Sequence, residues 1–479
     1  SLTVGANSTV DTGNLTITTA TLTFGAMNVV TTGDVNLTGT SKVILGADSE
    51  FNAGNVTSQP GTWTFGTNNK LNSTGAVSFT NALVTFASGG KLTAADDLTL
   101  DNTTMTFNTA GGIVSVEDVF VNNKSKLTIA SGGSLTANGP LNDQAGVIEV
   151  DNAQIRFNGA GSITGGNPKL TTAGSILALG ALAIDLNDLT IDNGSFSAGA
   201  GSGGTFSGNM TVDQGTVLFN NSTNIAVTGN LTGTNSDLTF GNTGSLAVTG
   251  DVNVNLFDIV LGNGFAFTAD DVTLQDTSYV QGDFGTFTAT DLSLTDSAMT
   301  LGEGNTGSID DLGVVNSTLA LGASTTIALG GNITANSSAT GVSSITGDGG
   351  IDLGTATHGL DVGNGDAADT VDFTISAEIL SSGAARFTKT GAGRVDLADP
   401  TGATVDITVA AGDVQVTTSA GDIELTGGTL SGGGSVGTIG GASGGPAVGP
   451  VSPGHNWDLS KAADLANLAV TFGPQTTFH

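Results

Sequence analysis

Asp251-Val252-Asn253-Val254-Asn255-Leu256-Phe257-Asp258-Ile259-Val260-Leu261-Gly262 opens the first of four copies of one unit written between Gly250 and Leu329. The copies start at Asp251, Asp271, Asp291 and Asp311, twenty residues apart. Each aspartate precedes an apolar, any, apolar triplet: Val252/Val254, Val272/Leu274, Leu292/Leu294 and Leu312/Val314. Further along the unit Ile259, Tyr279, Met299 and Leu319 fall in register, followed by Leu261, Gln281, Leu301 and Leu321, and then by Gly262, Gly282, Gly302 and Gly322. A weaker third apolar column holds Phe267, Phe287 and Ile327. Apolar residues alternating with period two mark strands, because successive strand side chains point to opposite faces. Three short strands per unit, separated by Gly, Asn and Asp where the backbone must turn, describe one coil of a solenoid. The expected fold is therefore all-β: a parallel β-helix (β-solenoid) with coils of about 20–21 residues, equal positions lying one above another.

The same register runs back toward the N-terminus through Asn14, Asp34, Asn55, Ala76, Asp97 and Asp118, each followed by Leu or Val. Phe24, Leu45, Phe65, Phe86, Phe107 and Ile129 form the matching second-strand column, which predicts a buried spine of stacked rings. Between 139 and 187 the spacing loosens around Pro140 and Pro168, then resumes at Asp188, Asn209, Asn230 and Asp251. Three regions are expected on this basis. Residues 1–340 make a regular solenoid and 341–445 a less regular continuation. Residues 446–479 hold a Gly/Pro-rich linker, a short helix at 458–466 and a strand at 468–472, a segment suited to assembly.

Composition narrows the function classes. Lys and Arg number 11 against 43 acidic residues, a net charge of −32, so nothing is present in quantity to neutralise phosphate. Nucleic acid and anionic membranes are disfavoured as partners, and no apolar run is long enough to insert into a bilayer. Cysteine is absent, which rules out disulfides and thiolate metal sites. Divalent cations are the partners an acidic surface attracts, and calcium is the cofactor to consider. The candidate metal ligands are Asp251, Asp271, Asp291 and Asp311, stacked about 4.8 Å apart. Neighbouring charges at that spacing repel by roughly 0.9 kcal/mol even in water, which a bridging ion would relieve. The competing expectation is that each carboxylate accepts turn N–H bonds at a solvated surface. The adjacent pairs Asp96-Asp97 and Glu117-Asp118 read as a turn residue plus a solvated neighbour.

No catalytic constellation emerges. His358, His455 and His479 have no nucleophile or second histidine at useful spacing, and His358 reads as a solvated turn residue. Thr-x-Thr pairs at Thr16/Thr18, Thr21/Thr23, Thr62/Thr64 and Thr104/Thr106 raise an ice-binding alternative, interrupted at Lys42, Val84 and Lys126.

Phe387-Thr388-Lys389-Thr390-Gly391-Ala392-Gly393-Arg394-Val395-Asp396-Leu397 and Val409-Ala410-Ala411-Gly412-Asp413-Val414-Gln415-Val416 resemble the autotransporter-associated β-strand repeat. Gly427-Gly428-Thr429-Leu430-Ser431-Gly432-Gly433-Gly434-Ser435-Val436-Gly437, with Val451-Ser452-Pro453-Gly454, is similar to the segment that follows that repeat. Arg394 and Asp396 depart from its usual Thr/Leu run. The resemblance, over about residues 375–455, implies a secreted bacterial surface protein built on a right-handed parallel β-helix and displayed or shed as an adhesin or coat.

A chain starting Ser1-Leu2-Thr3-Val4 reads as a mature or excised piece of a longer precursor, and its first coil begins with core-type residues. Open ends are expected to stack or exchange strands with further copies, giving a homopolymer. The expected function is a non-enzymatic structural protein of a bacterial cell surface or extracellular matrix, forming a fibre or surface layer. An adhesin that binds host or matrix glycans is the alternative, and a polysaccharide-degrading enzyme the more distant one.

Overall fold

The computed structural model describes residues 1–441 except 109–110, 131–132, 138–146, 152–153, 159–160, 165–166, 171, 173–174, 339–340, 366–370, 382–384, 399–404, 433–434 and 437–438. The expected helix at 458–466 and strand at 468–472 lie outside the described residues. The chain forms two compact units, Ser1–Thr249 and Gly250–His479. Each is a β-solenoid whose strand pairings are all parallel, and every regular element among the described residues is a strand.

In the N-terminal unit one coil contributes a strand to each of three faces. Leu15–Thr18 pairs with the start of Val35–Leu45 on the first face, Thr21–Phe24 with the end of that same strand on the second, and Thr9–Asp11 with Val29–Thr31 on the third. Partners in the first coils, to Asp101, are 20 or 21 residues apart, so there the sequence register is the structural one. Inward residues fill a thin core. The spine appears as expected: Phe24, Leu45, Phe65, Phe86, Phe107 and Ile129 pair in succession and are buried. Phe65 and Phe86 stack with centroids 4.1 Å apart at 3°, and Phe86 and Phe107 at 4.5 Å and 6°. Trp63, one column over, meets Phe51 of the third face and Phe79 of the first edge-on at 5.6 and 5.9 Å. One indole thus ties the three faces together, at the expense of a buried Nε1–H with no acceptor.

In the C-terminal unit the four twenty-residue copies stack in the expected register. Ile259, Tyr279, Met299 and Leu319 follow one another as Cα partners and are buried, as are Leu261, Gln281, Leu301 and Leu321. Gln281 sits in an apolar column because its partners lie inside. Its Oε1 accepts the Tyr279 hydroxyl at 2.9 Å, and its Nε2 donates to Phe265 O and Thr286 O, each at 3.0 Å. The third column runs Phe267, Phe287, Gly307, Ile327. Gly307 interrupts it because a Cβ there would lie 1.9 Å from Phe287 O.

Beyond Asn336 the coil length stops being constant. Thr318 pairs with Ser344, 26 residues on, and Ser344 with Thr374, a still longer coil. The coils then shorten until Asp413 pairs with Thr429, 16 residues on. The part that resembles the autotransporter-type repeat lies here, as the paired strands Arg386–Thr390 and Asp406–Val409 on one face and Arg394–Leu397 and Asp413–Val416 on another.

Candidate functional site

The Asp/Asn column lies at the corner between the third and first faces, and its side chains bridge coils. In the N-terminal unit Asn14 Oδ1 accepts the Asp34 N–H at 3.0 Å, Asp34 Oδ1 accepts the Asn55 N–H at 2.8 Å, and Asn55 Oδ1 accepts the Ala76 N–H at 3.0 Å. Asp188, Asn209 and Asn230 repeat the arrangement. Each such oxygen satisfies an N–H that the turn leaves outside the strand ladder. It also explains the glycine preceding Asp34, Asn55 and Ala76. A Cβ on Gly33, Gly54 or Gly75 would lie 2.3 to 2.5 Å from the Oδ1 of Asn14, Asp34 or Asn55.

Ala76 breaks this ladder, having no oxygen to offer the next coil. The Asp97 N–H turns instead to the carboxylate of its neighbour, Asp96 Oδ1, at 3.1 Å. Asp96 is thereby drawn in beside Asp97, and Glu117 comes alongside from the next coil. Ligand oxygens of Asp96, Asp97 and Glu117 all lie within 4.8 Å of one another. Burial, with the Asp118, Asp96 and Glu117 charges behind it, pushes the Asp97 carboxyl above the ordinary aspartate range. Sequence reading had separated these side chains as turn residues with solvated neighbours; the missing acceptor at Ala76 was the signal that they converge. Calcium takes about six to eight oxygens, so three carboxylates suit a surface-held, largely hydrated divalent ion rather than a closed protein cage.

The four predicted ligands of the C-terminal unit are placed differently. Asp271, Asp291 and Asp311 are exposed and Asp251 half-buried, one per coil, with Asp291 and Asp311 direct Cα partners. Asp291 Oδ1 accepts the Asp311 N–H at 3.3 Å, and Asp311 Oδ1 the Asn332 N–H at 2.6 Å. These aspartates stack as a ladder; among the described residues the convergent acidic group is the one at Asp96, Asp97 and Glu117. Desolvation and the Asp291, Asp270 and Asp251 charges raise the Asp271 carboxyl.

A second ladder escaped sequence reading. At the corner between the first and second faces Ser297 Oγ accepts the Thr277 N–H at 3.0 Å, and Ser317 Oγ the Ser297 N–H at 2.9 Å. The Ser297 hydroxyl reaches Leu274 O at 3.1 Å and Thr295 O at 2.7 Å. The residue before each hydroxyl, Asp276, Asp296 or Asn316, has φ between 47° and 49°. Twenty-residue recurrence of Asp/Asn followed by Ser/Thr was the available signal.

Other reactive side chains are built into the framework. His358 is a correction: it is 2% exposed within Thr357–Val362, not a solvated turn residue, and its ring nitrogens bond Gly331 O and Leu353 O. It alternates with Leu360 and Val362 on the inward side of that strand. Asp372 is also buried, with Oδ1 accepting from Ser337 Oγ and the Gly365 N–H and Oδ2 accepting the Arg394 N–H. Arg394, the departure from the repeat motif, pairs Nε to Asp413 Oδ2 at 2.6 Å. Lys389 is fully buried, and its Nζ donates toward Thr390 O, Gly391 O and Ala411 O. Burial lowers it to about 8, against Asp361, Asp372 and Asp413, which hold it up.

The Thr-x-Thr pairs do not share one face. Thr16 and Thr18 stand on the first face, the other three pairs on the second. Val84 points inward and is buried, so the interruption at that coil is the outward Leu83 rather than Val84. Among the described residues no helix is long and apolar enough to cross a membrane. No protein-family model and no curated protein matches the chain.

Proposed function

We propose that the protein is a structural building block of a bacterial cell surface or extracellular matrix, secreted, non-enzymatic, and assembling with further copies into a fibre or layer. The observation that carries this reading is the coil-to-coil repetition of side-chain-to-backbone bonds at two corners. A side chain devoted to its neighbour coil is withdrawn from chemistry with a substrate, and His358, Tyr279 and Lys389 are held inside in the same way. Such an arrangement makes stiffness, since bending a solenoid must stretch every ladder at once. The resemblance of residues 375–455 to the autotransporter-associated repeat supports display at a bacterial surface. Negative-stain imaging and sedimentation of the intact chain test the proposal: regular assemblies growing with concentration are expected, and a chain that stays monomeric at high concentration would overturn it.

A further inference from the structure

The second face of the C-terminal unit carries an apolar strip across its first two coils. Leu256 is 57% exposed, Val260 42%, Val280 39% and Phe284 68%, and Val260 and Val280 are direct Cα partners. Both ends of the strip sit in unfavourable backbone. Leu256 has φ 51° and Phe284 φ 59°, the left-handed region that disfavours bulky side chains. Equivalent positions in neighbouring coils hold residues that tolerate it: Asp276, Asp296 and Asn316 for Leu256, Gly264 and Gly304 for Phe284. The Phe284 ring lies over Gly304, where a Cβ would come 2.6 Å from Phe284 Cδ1. Bulky apolar groups stand at corners where the neighbouring coils have Asp, Asn or Gly, and their side chains face water. Strain of that kind marks a surface kept for a partner.

Charge narrows the partner. The strip is bordered by carboxylates, Asp276 and Asp296 at one corner and Asp283 and Glu303 at the other, and from 170 to 385 the chain has neither Lys nor Arg. The occupant must therefore present an apolar group between cations. The N-terminal unit has such a surface on its own second face: the outward column runs Lys42, Thr62, Leu83, Thr104, Lys126, with Leu83 49% exposed and both lysines exposed. Four coil steps of about 4.8 Å put the two lysines about 19 Å apart along the solenoid. The two acidic corners face each other across the strands; Asp276 to Asp283, at about 3.3 Å per residue, is at most roughly 23 Å. The two spacings are comparable and fall along one direction when the strands of one copy cross those of the other near a right angle, as in orthogonal sheet packing.

We propose that the Leu256/Val260/Val280/Phe284 strip of one copy docks the Lys42/Leu83/Lys126 column of another. This rests on the assembly reading above and assigns its contact. The contact is heterologous, each copy offering one surface of each kind, so association either propagates or closes into a ring.

Sedimentation velocity of the intact chain, with carbodiimide cross-linking of a mixture of ¹⁴N- and ¹⁵N-labelled chains, tests it. Association is expected at about tens of micromolar in dilute buffer, as for a small interface, and to weaken as salt screens the ion pairs. Cross-links should join Lys42 or Lys126 of one isotope to Asp276, Asp296, Asp283 or Glu303 of the other. Lys42→Glu with Lys126→Glu should be monomeric alone, as should Val280→Ser with Phe284→Gly, while a mixture of the two gives a discrete one-to-one complex. Phe284→Gly alone should raise the melting temperature while losing association; a purely structural Phe284 would lower it. If the native chain associates but these variants do so equally, or their mixture gives no complex, the surface assignment fails and assembly stands. If the native chain never associates, both fail.

Discussion

Within the C-terminal unit, the coils from Gly250 to Asn336 and those from Ser343 to Gly441 solve one problem in two ways. Each must satisfy backbone groups at corners where the strand ladder stops. The constant coils do it with short side chains that bond the equivalent residue one coil away, as Ser297 bonds Thr277 and Asp311 bonds Asn332. This works only because equal positions lie directly above one another. Once coil length varies between 16 and 26 residues or more, the strands still pair in register but the turns between them differ in length from coil to coil. The corners are then filled by longer, ionisable groups that reach across: His358 to Gly331 and Leu353, Asp372 to Gly365 and Arg394, Lys389 to three carbonyls. The constant coils rely on repeated neutral or solvated bonds; the irregular coils keep a few of these, as Asp406 bonds Asp422, and add buried charge, which is stable only while its partners stay in place.

Lys389 is where that difference should break most severely. Lys389→Ala removes the donor from Thr390 O, Gly391 O and Ala411 O and leaves a cavity, so the C-terminal coils should lose about 3 kcal/mol. Lys389→Met, which keeps the volume, should lose less. Hydrogen exchange followed by mass spectrometry measures this locally, as one global unfolding value does not suit a solenoid of two units. The native protein should also gain stability in this region as pH rises from about 8 towards 10. Lys389 gives up its proton near 8 when folded, whereas an unfolded lysine keeps it to about 10.4, so the unfolded state holds more protons in that window. The rise should be absent from Lys389→Met.

The regular coils should respond more mildly. Ser297→Ala leaves the Thr277 N–H without its acceptor and should cost about 1–2 kcal/mol, whereas Ser297→Thr, the residue already used one coil earlier, should be near neutral. Equal losses for the two substitutions would mean that the hydroxyl ladder is incidental.

The same contrast explains what could be read in advance. Ile259, Tyr279, Met299 and Leu319 were legible because a fixed interval turns sequence spacing directly into spatial neighbourhood. His358 was not, because a polar residue in glycine-rich surroundings resembles a turn, although it alternates with Leu360 and Val362 along one strand. Mistaking Val84 for Leu83 was also an error of parity, one residue being enough to exchange inside for outside. The acidic group at Asp96, Asp97 and Glu117 depends on an absence, the missing acceptor at Ala76, which no search for motifs detects.

That group separates two accounts of calcium. If the ion binds where three carboxylates converge, millimolar calcium should raise the melting temperature of the N-terminal unit, EGTA should reverse it, and Glu117→Gln should abolish it. At a dissociation constant of about 1 mM, 10 mM calcium contributes about 1.4 kcal/mol. If the stacked aspartates bind it instead, Asp291→Asn should remove the response and Glu117→Gln should leave it. A melting temperature indifferent to both calcium and EGTA would dispose of either account.

Asp271 tests the weakest force in the comparison. Its carboxyl lies above the ordinary range when folded, through desolvation and then the Asp291, Asp270 and Asp251 charges, so the folded state holds the proton more tightly than the unfolded one. The contribution is present in full below the unfolded value near 3.9 and lost as pH rises through the raised folded value. Stability of these coils should therefore increase as pH falls from 7 toward 4, the reverse of the usual salt-bridged aspartate. Asp271→Asn should reduce that slope and, because the side chain is exposed, shift the melting temperature at pH 7 upward by no more than about a degree. A downward shift would mean that its bonds to the corner outweigh the repulsion along the column, and that the acidic ladder is held by backbone contacts despite its charge.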